Sequence, residues 1–351
     1  MIDMTKACHW TVDIEERHAG VRSLSWLSGL ALIATFAAPV HDVVLSQSRS
    51  SRPAEVKLGA TPAVIGPGIV STPAEEFRST VSPDNRTIMY VLTDHLFQHM
   101  TLVQAERSGD GWATPSVVSF SGIWRDGDPS FAPDGRTVYF ISNRPLPGDP
   151  PSTARRDFNI WYAHRNANGS WGDPIAIDRT INTDGSEMSP SVTRSGTLYF
   201  ARADKIMRAA KKGNGYSTPT VVDLKAKGAG DPAISADERF LVVDADGPTR
   251  GDADLFVSCR SSTGWTPASR FADPVNSNAE EGDPSVSPDG RTLYFFSRRL
   301  LSGGSRGPHP PRKQRATYEE IEREAVSNIY NGSRNLYSVA LTGFSCTAAG
   351  Q

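Results

Sequence analysis

Short apolar runs separated by polar turns recur along most of this chain. The run "TVYFIS", Thr137–Ser142, is β-branched and aromatic almost throughout, the pattern of a strand covered on both faces. An alternating "DPSF" and then "APDG" precede it. The turn has Pro at its second position and a Gly suited to positive φ. The whole stretch Asp128–Arg144 returns almost unchanged as Asp283–Arg299, 155 positions later, and such self-similarity marks one structural unit used repeatedly. Weaker copies run Ser79–Asp94, Ser189–Asp204 and Asp231–Asp246. Aligned on the turn, the copies place Asp84, Asp134, Ser195, Asp237 and Asp289 at spacings of 50, 61, 42 and 52 residues. Each copy predicts strand, turn, strand. Asp84, Asp134, Asp237 and Asp289 read as structural turn residues whose carboxylates accept local backbone N–H groups.

Further strands follow each copy. "FNIWYAHR", "DLFVSCR", "NLYSVAL" and the weaker "KIMRAAK" read as third strands, while "GWATPSVV", "SWGDPIAI", "GYSTPTVV" and "GWTPASRF" open fourth, outer ones. Trp112, Trp171, Tyr216 and Trp265 recur at one position of the unit, which favours aromatic packing between units over a sugar-stacking row. The outer-strand pattern also precedes the first copy, within Thr61–Phe77, whereas the last unit has only three strands of its own. A closed ring removes such an open edge. The expectation is therefore an all-β, five-bladed β-propeller of four-stranded antiparallel blades over residues 59–346. Its ring is closed by an N-terminal outer strand near residues 60–70; six blades is the alternative. A long insertion in the last blade, about 300–332, carries Tyr318, Ile321 and Ala325 at helical spacing.

With these motifs in view, "APDGRTVYF" (Ala132–Phe140) and "SPDGRTLYF" (Ser287–Phe295) resemble the TolB-type, WD-like (PD40) propeller repeat of exported bacterial proteins. The resemblance covers roughly residues 60–345 and implies the fold, since such propellers serve as binding platforms, enzyme appendages and occasionally enzymes. The third copy departs from it with Arg194-Ser195, and the fourth with Ala236-Asp237-Glu238. No stretch reads as the N-terminal α/β domain of TolB itself, so a role in that envelope complex does not transfer. No G-x-S-x-G pentapeptide of an appended hydrolase occurs.

Composition narrows the functional classes. Of 351 residues, 38% are hydrophobic, and 30 Gly and 25 Pro suit many short strands joined by turns. A net charge of −2 argues against a nucleic-acid partner. Cys8, Cys259 and Cys346 have no metal-ligand spacing; with Cys8 removed in a leader, the other two could pair. Arg17, His18 and Arg22 precede the uncharged Ser23–Val40, so residues 1–40 read as a signal peptide cleaved after Ala37 or Ala38. Left uncleaved, residues 23–40 would be an inner-membrane anchor, the one expected membrane contact. Residues 41–58 are polar and Ser-rich, a flexible linker. The expectation is a periplasmic or secreted monomer.

Acidic segments precede every inner strand: "STPAEEF", "WRDGDP", "TDGSEMSP", "GAGDP" and "EEGDP". Five blades would set these carboxylates in a ring around one funnel mouth. The reading favoured here is an exported, noncatalytic binding or scaffold module for a protein or glycan partner at that acidic face, in the bacterial envelope. The alternative is a glycan-acting hydrolase, with Asp128, Glu187, Asp231 and Asp283 as candidates for its carboxylate pair. A hard cation such as Ca²⁺ would find oxygen ligands in Glu76, Asp126, Glu187 and Glu281. Otherwise no cofactor is expected. His95 and His99 could bind a metal together only on a helix, and their segment reads as the approach to a third strand.

Overall fold

The computed structural model describes residues 55–248, 253–299, 315, 317–320, 329 and 332–346. The leader or anchor at 1–40, most of the linker at 41–58 and nearly all of the 300–332 insertion lie outside these residues. Within the insertion, residues 318–320 are helical.

Five four-stranded antiparallel blades form the propeller. Their inner strands are Glu75–Val81, Asp126–Phe131, Glu187–Val192, Gly230–Ile234 and Glu281–Val286. Each inner strand lies against that of the next blade, and the fifth returns to the first, so these strands line a central channel. The second strands are Thr87–Thr93, Thr137–Ser142, Leu198–Arg202, Phe240–Asp246 and Thr292–Ser297. Sandwiched between neighbouring blades, they bury Ile88, Val138, Phe140, Leu198, Phe200, Val242, Leu293 and Phe295 almost completely. That double coverage is why these runs are apolar without alternation.

The ring closes as the strand count requires. Ala63–Val64 pairs antiparallel with Asn335–Ala340, the third strand of blade five, placing Ala63 opposite Ser338 and Val64 opposite Tyr337. Ile65 N donates to Leu336 O at 2.9 Å, and the Ser71 hydroxyl exchanges hydrogen bonds with the Leu336 backbone. Upstream of this strand, Val56 bridges in parallel to Phe271 on blade four. A disulfide joins Cys259 of blade four to Cys346 beyond the last strand, with Cα atoms 5.5 Å apart.

The repeated aromatics wedge each blade against the one before it. Trp112 packs on Gly66 and Val70 of the closing segment. Trp171 donates its indole N–H to Gln104 of blade one at 3.0 Å, Tyr216 meets the Tyr139 hydroxyl of blade two at 3.3 Å, and Trp265 stacks edge-on against Tyr199 of blade three. Arg107, Arg165, Lys211 and Arg260 each place a cation over the wedge of their own blade. The row is packing.

Candidate functional site at the propeller axis

Every inner strand carries a β-bulge, an extra residue set against one partner on the second strand. The bulged residue is left-handed in all five blades: Arg78 (φ 45°), Asp128 (46°), Ser189 (54°), Asp231 (45°) and Asp283 (49°). None is glycine, and four precede a proline, which favours extended backbone in the residue before it. Proline is tolerated here because the channel side of an inner strand has no partner needing its N–H. Such strain costs on the order of 1 kcal/mol or more per residue and persists where the surroundings fix the conformation. The repetition gathers five side chains at the axis.

Their contacts run from blade to blade. Asp128 Oδ2 accepts from Ser189 N at 2.9 Å and from the Ser189 hydroxyl at 3.1 Å; that hydroxyl also contacts Asp231. Arg78, almost fully buried, donates across the axis to the carbonyl oxygens of Asp231 (3.5 Å) and Pro232 (3.2 Å). Its Nε has no hydrogen-bond partner among the described residues. A sixth residue joins from the second strand of blade four: Asp244 hydrogen-bonds Asp231 and accepts from Asp283 N at 3.3 Å. A Cβ on Gly282 would lie 2.9 Å from Asp244 Oδ2, and one on Gly230 3.1 Å from Oδ1. These glycines let the carboxylate reach the axis.

Carboxylate oxygens of Asp231, Asp244 and Asp283 lie within 4.8 Å of one another. Three negative charges cannot coexist there unneutralised. Burial, together with the charges of Asp231 and Asp283 and the hydrogen bond to Asp231, raises Asp244 well above the usual carboxylate range. Burial and the charges of Asp231 and Asp128 do the same to Asp283, against the opposing pull of Arg78 and Arg334. Asp128 is pushed up to about 6, chiefly by burial, which the Arg78 charge partly offsets. Beyond the ring, toward the Pro-Asp-Gly turns, the channel holds a cavity of ≈ 20 Å³ lined by Arg78, Thr80, Ser130, Ser191, Ser285 and the turn prolines among others. That volume admits about one water molecule.

Sequence reasoning foresaw one ring of acids, and the structure divides them into two sets. Asp128, Asp231 and Asp283 stand together at the axis. Glu187 does not join them, because it precedes the bulge by two residues; it is equivalent to Glu76, Asp126 and Glu281. In three of these four the acid is held by its own blade. Asp126 pairs with Arg144 (2.7 Å) and Ser121 (2.8 Å), Glu187 with Arg202 (2.9 Å) and Thr183 N (3.0 Å), and Glu281 with Arg299 (3.2 Å) and Ser277 N (2.8 Å). Glu76 is fully buried and accepts from Thr72 N at 3.1 Å and from its hydroxyl, with no arginine among its described partners. Burial raises its carboxyl to about 7. His95 and His99 lie in a loop, not a helix, and bind Glu75 and Asp94 separately at 3.0 and 2.9 Å. Arg78, Ser189 and Asp244 were not anticipated. The first two occupy the position that elsewhere holds Asp, and a bulge-aligned comparison of the five copies would have found them. Asp244 lies outside the repeated acidic segment and has no counterpart to reveal it.

No family model matches the sequence, and no curated protein matches it. Solved structures similar to it are propeller proteins. A protein described as TolB from Agrobacterium tumefaciens is 15% identical over 68% of this chain and 77% of its own, with a TM-score of 0.41. TolB from Acinetobacter baumannii is 14% identical over 81% of this chain and 64% of its own, at 0.42. The periplasmic gluconolactonase of Pseudomonas aeruginosa is 15% identical over 63% and 64%, at 0.36.

Proposed function

We propose that this chain is an exported, noncatalytic β-propeller that acts as a binding or scaffold module for a protein or glycan partner in the bacterial envelope. The observation that carries this reading is the closure of the axis. A glycosidase sets two carboxyl groups about 5–10 Å apart across a space that admits a sugar. Asp231, Asp244 and Asp283 instead crowd within 4.8 Å, the axis holds a cavity of ≈ 20 Å³, and Glu187 lies away from them. The disulfide supports export, because such bonds persist in oxidising compartments. Among the described residues no helix is long and apolar enough to cross a membrane.

The test is a panel of chromogenic glycosides and polysaccharides offered to the purified protein. No turnover is expected. Turnover abolished by Asp283→Asn in a variant with unchanged circular dichroism would make the axis catalytic and overturn the proposal. Adding Ca²⁺ to chelator-treated protein examines in parallel whether a cation sits at Asp231, Asp244 and Asp283 rather than at Glu76, Asp126, Glu187 and Glu281. An unchanged thermal midpoint is expected, and a rise that disappears in Asp244→Asn would assign the axis to a metal.

A further inference from the structure

Four of the five blade seams are wedged by an aromatic carried between the third and outer strands of its own blade: Trp112, Trp171, Tyr216 and Trp265. At the seam between blades four and five the wedge is Phe344, beyond the last strand. Its ring stands edge-on to Phe240 with centroids 5.3 Å apart, and 6.3 Å from Phe271. No strand pairing is formed by residues 341–346. Their backbone is held by Leu341 N to Arg291 O (2.8 Å), Gly59 N to Thr342 O (3.0 Å) and a long turn bond from Phe344 N to Leu341 O (3.4 Å). Covalent attachment comes two residues later, at the Cys346 bond to Cys259. A surface cavity of ≈ 330 Å³, lined by Val56, Lys57, Val257, Cys259, Phe344 and Ser345 among others, gives a solvent thiol a route to this bond.

We propose that Cys259–Cys346 is a redox latch on this one seam, and that its reduction by a dithiol releases the strap at 341–346 and withdraws Phe344 from blade four. A thiolate of the dithiol attacks one sulfur, forming a mixed disulfide and expelling the other cysteine as thiolate. The second thiol of the reductant then closes its own disulfide and expels the remaining cysteine. Two electrons pass from the dithiol to the protein disulfide, and both cysteines end as thiols or thiolates. The other four wedges stay in place because each is carried within its own blade, between the third and outer strands.

Amide hydrogen exchange on the full chain, oxidised and then reduced with dithiothreitol, tests this. Exchange is expected to accelerate at 341–346 and around Phe240, Phe271 and Ala272, while blades one to three remain as protected as before. The double variant Cys259→Ser/Cys346→Ser should reproduce the reduced pattern without reductant; if it does not fold, the dithiol titration of the intact protein decides alone. Unchanged protection at 341–346 after reduction would overturn the latch, and so would a uniform rise across all five blades. Phe344→Ala in the oxidised protein separates wedge from bond. Exchange at Phe240 and Phe271 should rise with the strap still protected, and no rise there would remove Phe344 from its assigned role.

Discussion

Glu76 occupies in blade one the place held by Asp126, Glu187 and Glu281, whose arginines offset part of the upward push of burial on their carboxyls. With its folded carboxyl near 7 against an ordinary 4.5, the native state holds a proton that the unfolded chain releases earlier. Its contribution to stability is therefore complete below about pH 4.5 and declines as pH rises to about 7. Glu76→Gln should then stabilise the protein at about pH 8 by up to about 3 kcal/mol, with the advantage vanishing near pH 4, in denaturant titrations at both values. The turn acids behave differently. Asp289 accepts from Ser287 Oγ at 2.5 Å and Arg291 N at 3.0 Å, and Asp134 from the backbone of Arg136 and Thr137 at 2.8 and 2.9 Å. Asp289→Ala should cost about 1 kcal/mol, from the loss of this local acceptor. Asp237→Ala should cost less, because its one backbone bond, from Arg239 N, is long at 3.3 Å. The residue after Asp237 shows why that turn survives without glycine. Glu238, at φ 59°, binds the Tyr199 hydroxyl at 2.6 Å and Arg208 at 2.8 Å, contacts that help hold a conformation Gly would adopt freely.

The strands were legible in the sequence because burial on both faces of a second strand leaves an unbroken apolar run, and because Pro-Asp-Gly can build only a few kinds of turn. The bulge was not legible. A period-two reading sends Asp126 and Asp128, or Glu281 and Asp283, to the same face. The left-handed residue instead re-aims the second acid of each pair at the axis and leaves the first inside its blade. The outer strand of blade five was foreseen from a count of edges and is met by Ala63–Val64. Deleting residues 59–72 removes this strand together with the Ser71–Leu336 bonds and leaves Asn335–Ala340 an open edge. The expected result is a broadened, less cooperative denaturant transition and concentration-dependent aggregation; an unchanged transition would show that the ring is held closed by other means.

At the scale of the molecule, the axis links four blades through hydrogen bonds and mutual charge effects among Asp128, Ser189, Asp231, Asp244 and Asp283. Because Asp244 and Asp283 are raised by burial, the folded state should bind protons more tightly than the unfolded one. Stability should accordingly fall from its acid maximum as pH rises through their folded values. Asp244→Asn removes one such proton. As pH rises above the ordinary carboxylate range its stability should fall less steeply than the parent's, by up to about 1.4 kcal/mol per pH unit. Parallel profiles would mean that Asp244 does not titrate with folding. The closing strand has a further consequence, one of timing. Ser71 and its partner Leu336 stand 265 positions apart, so the segment made early cannot find its place until nearly the whole ring has been synthesised. Blades one to four can form local hairpins as they emerge, but the ring itself has no native-like end point on a partly made chain. A polypeptide built this way cannot close its ring early, so the fully paired fold is reached in a single late step that joins its two ends.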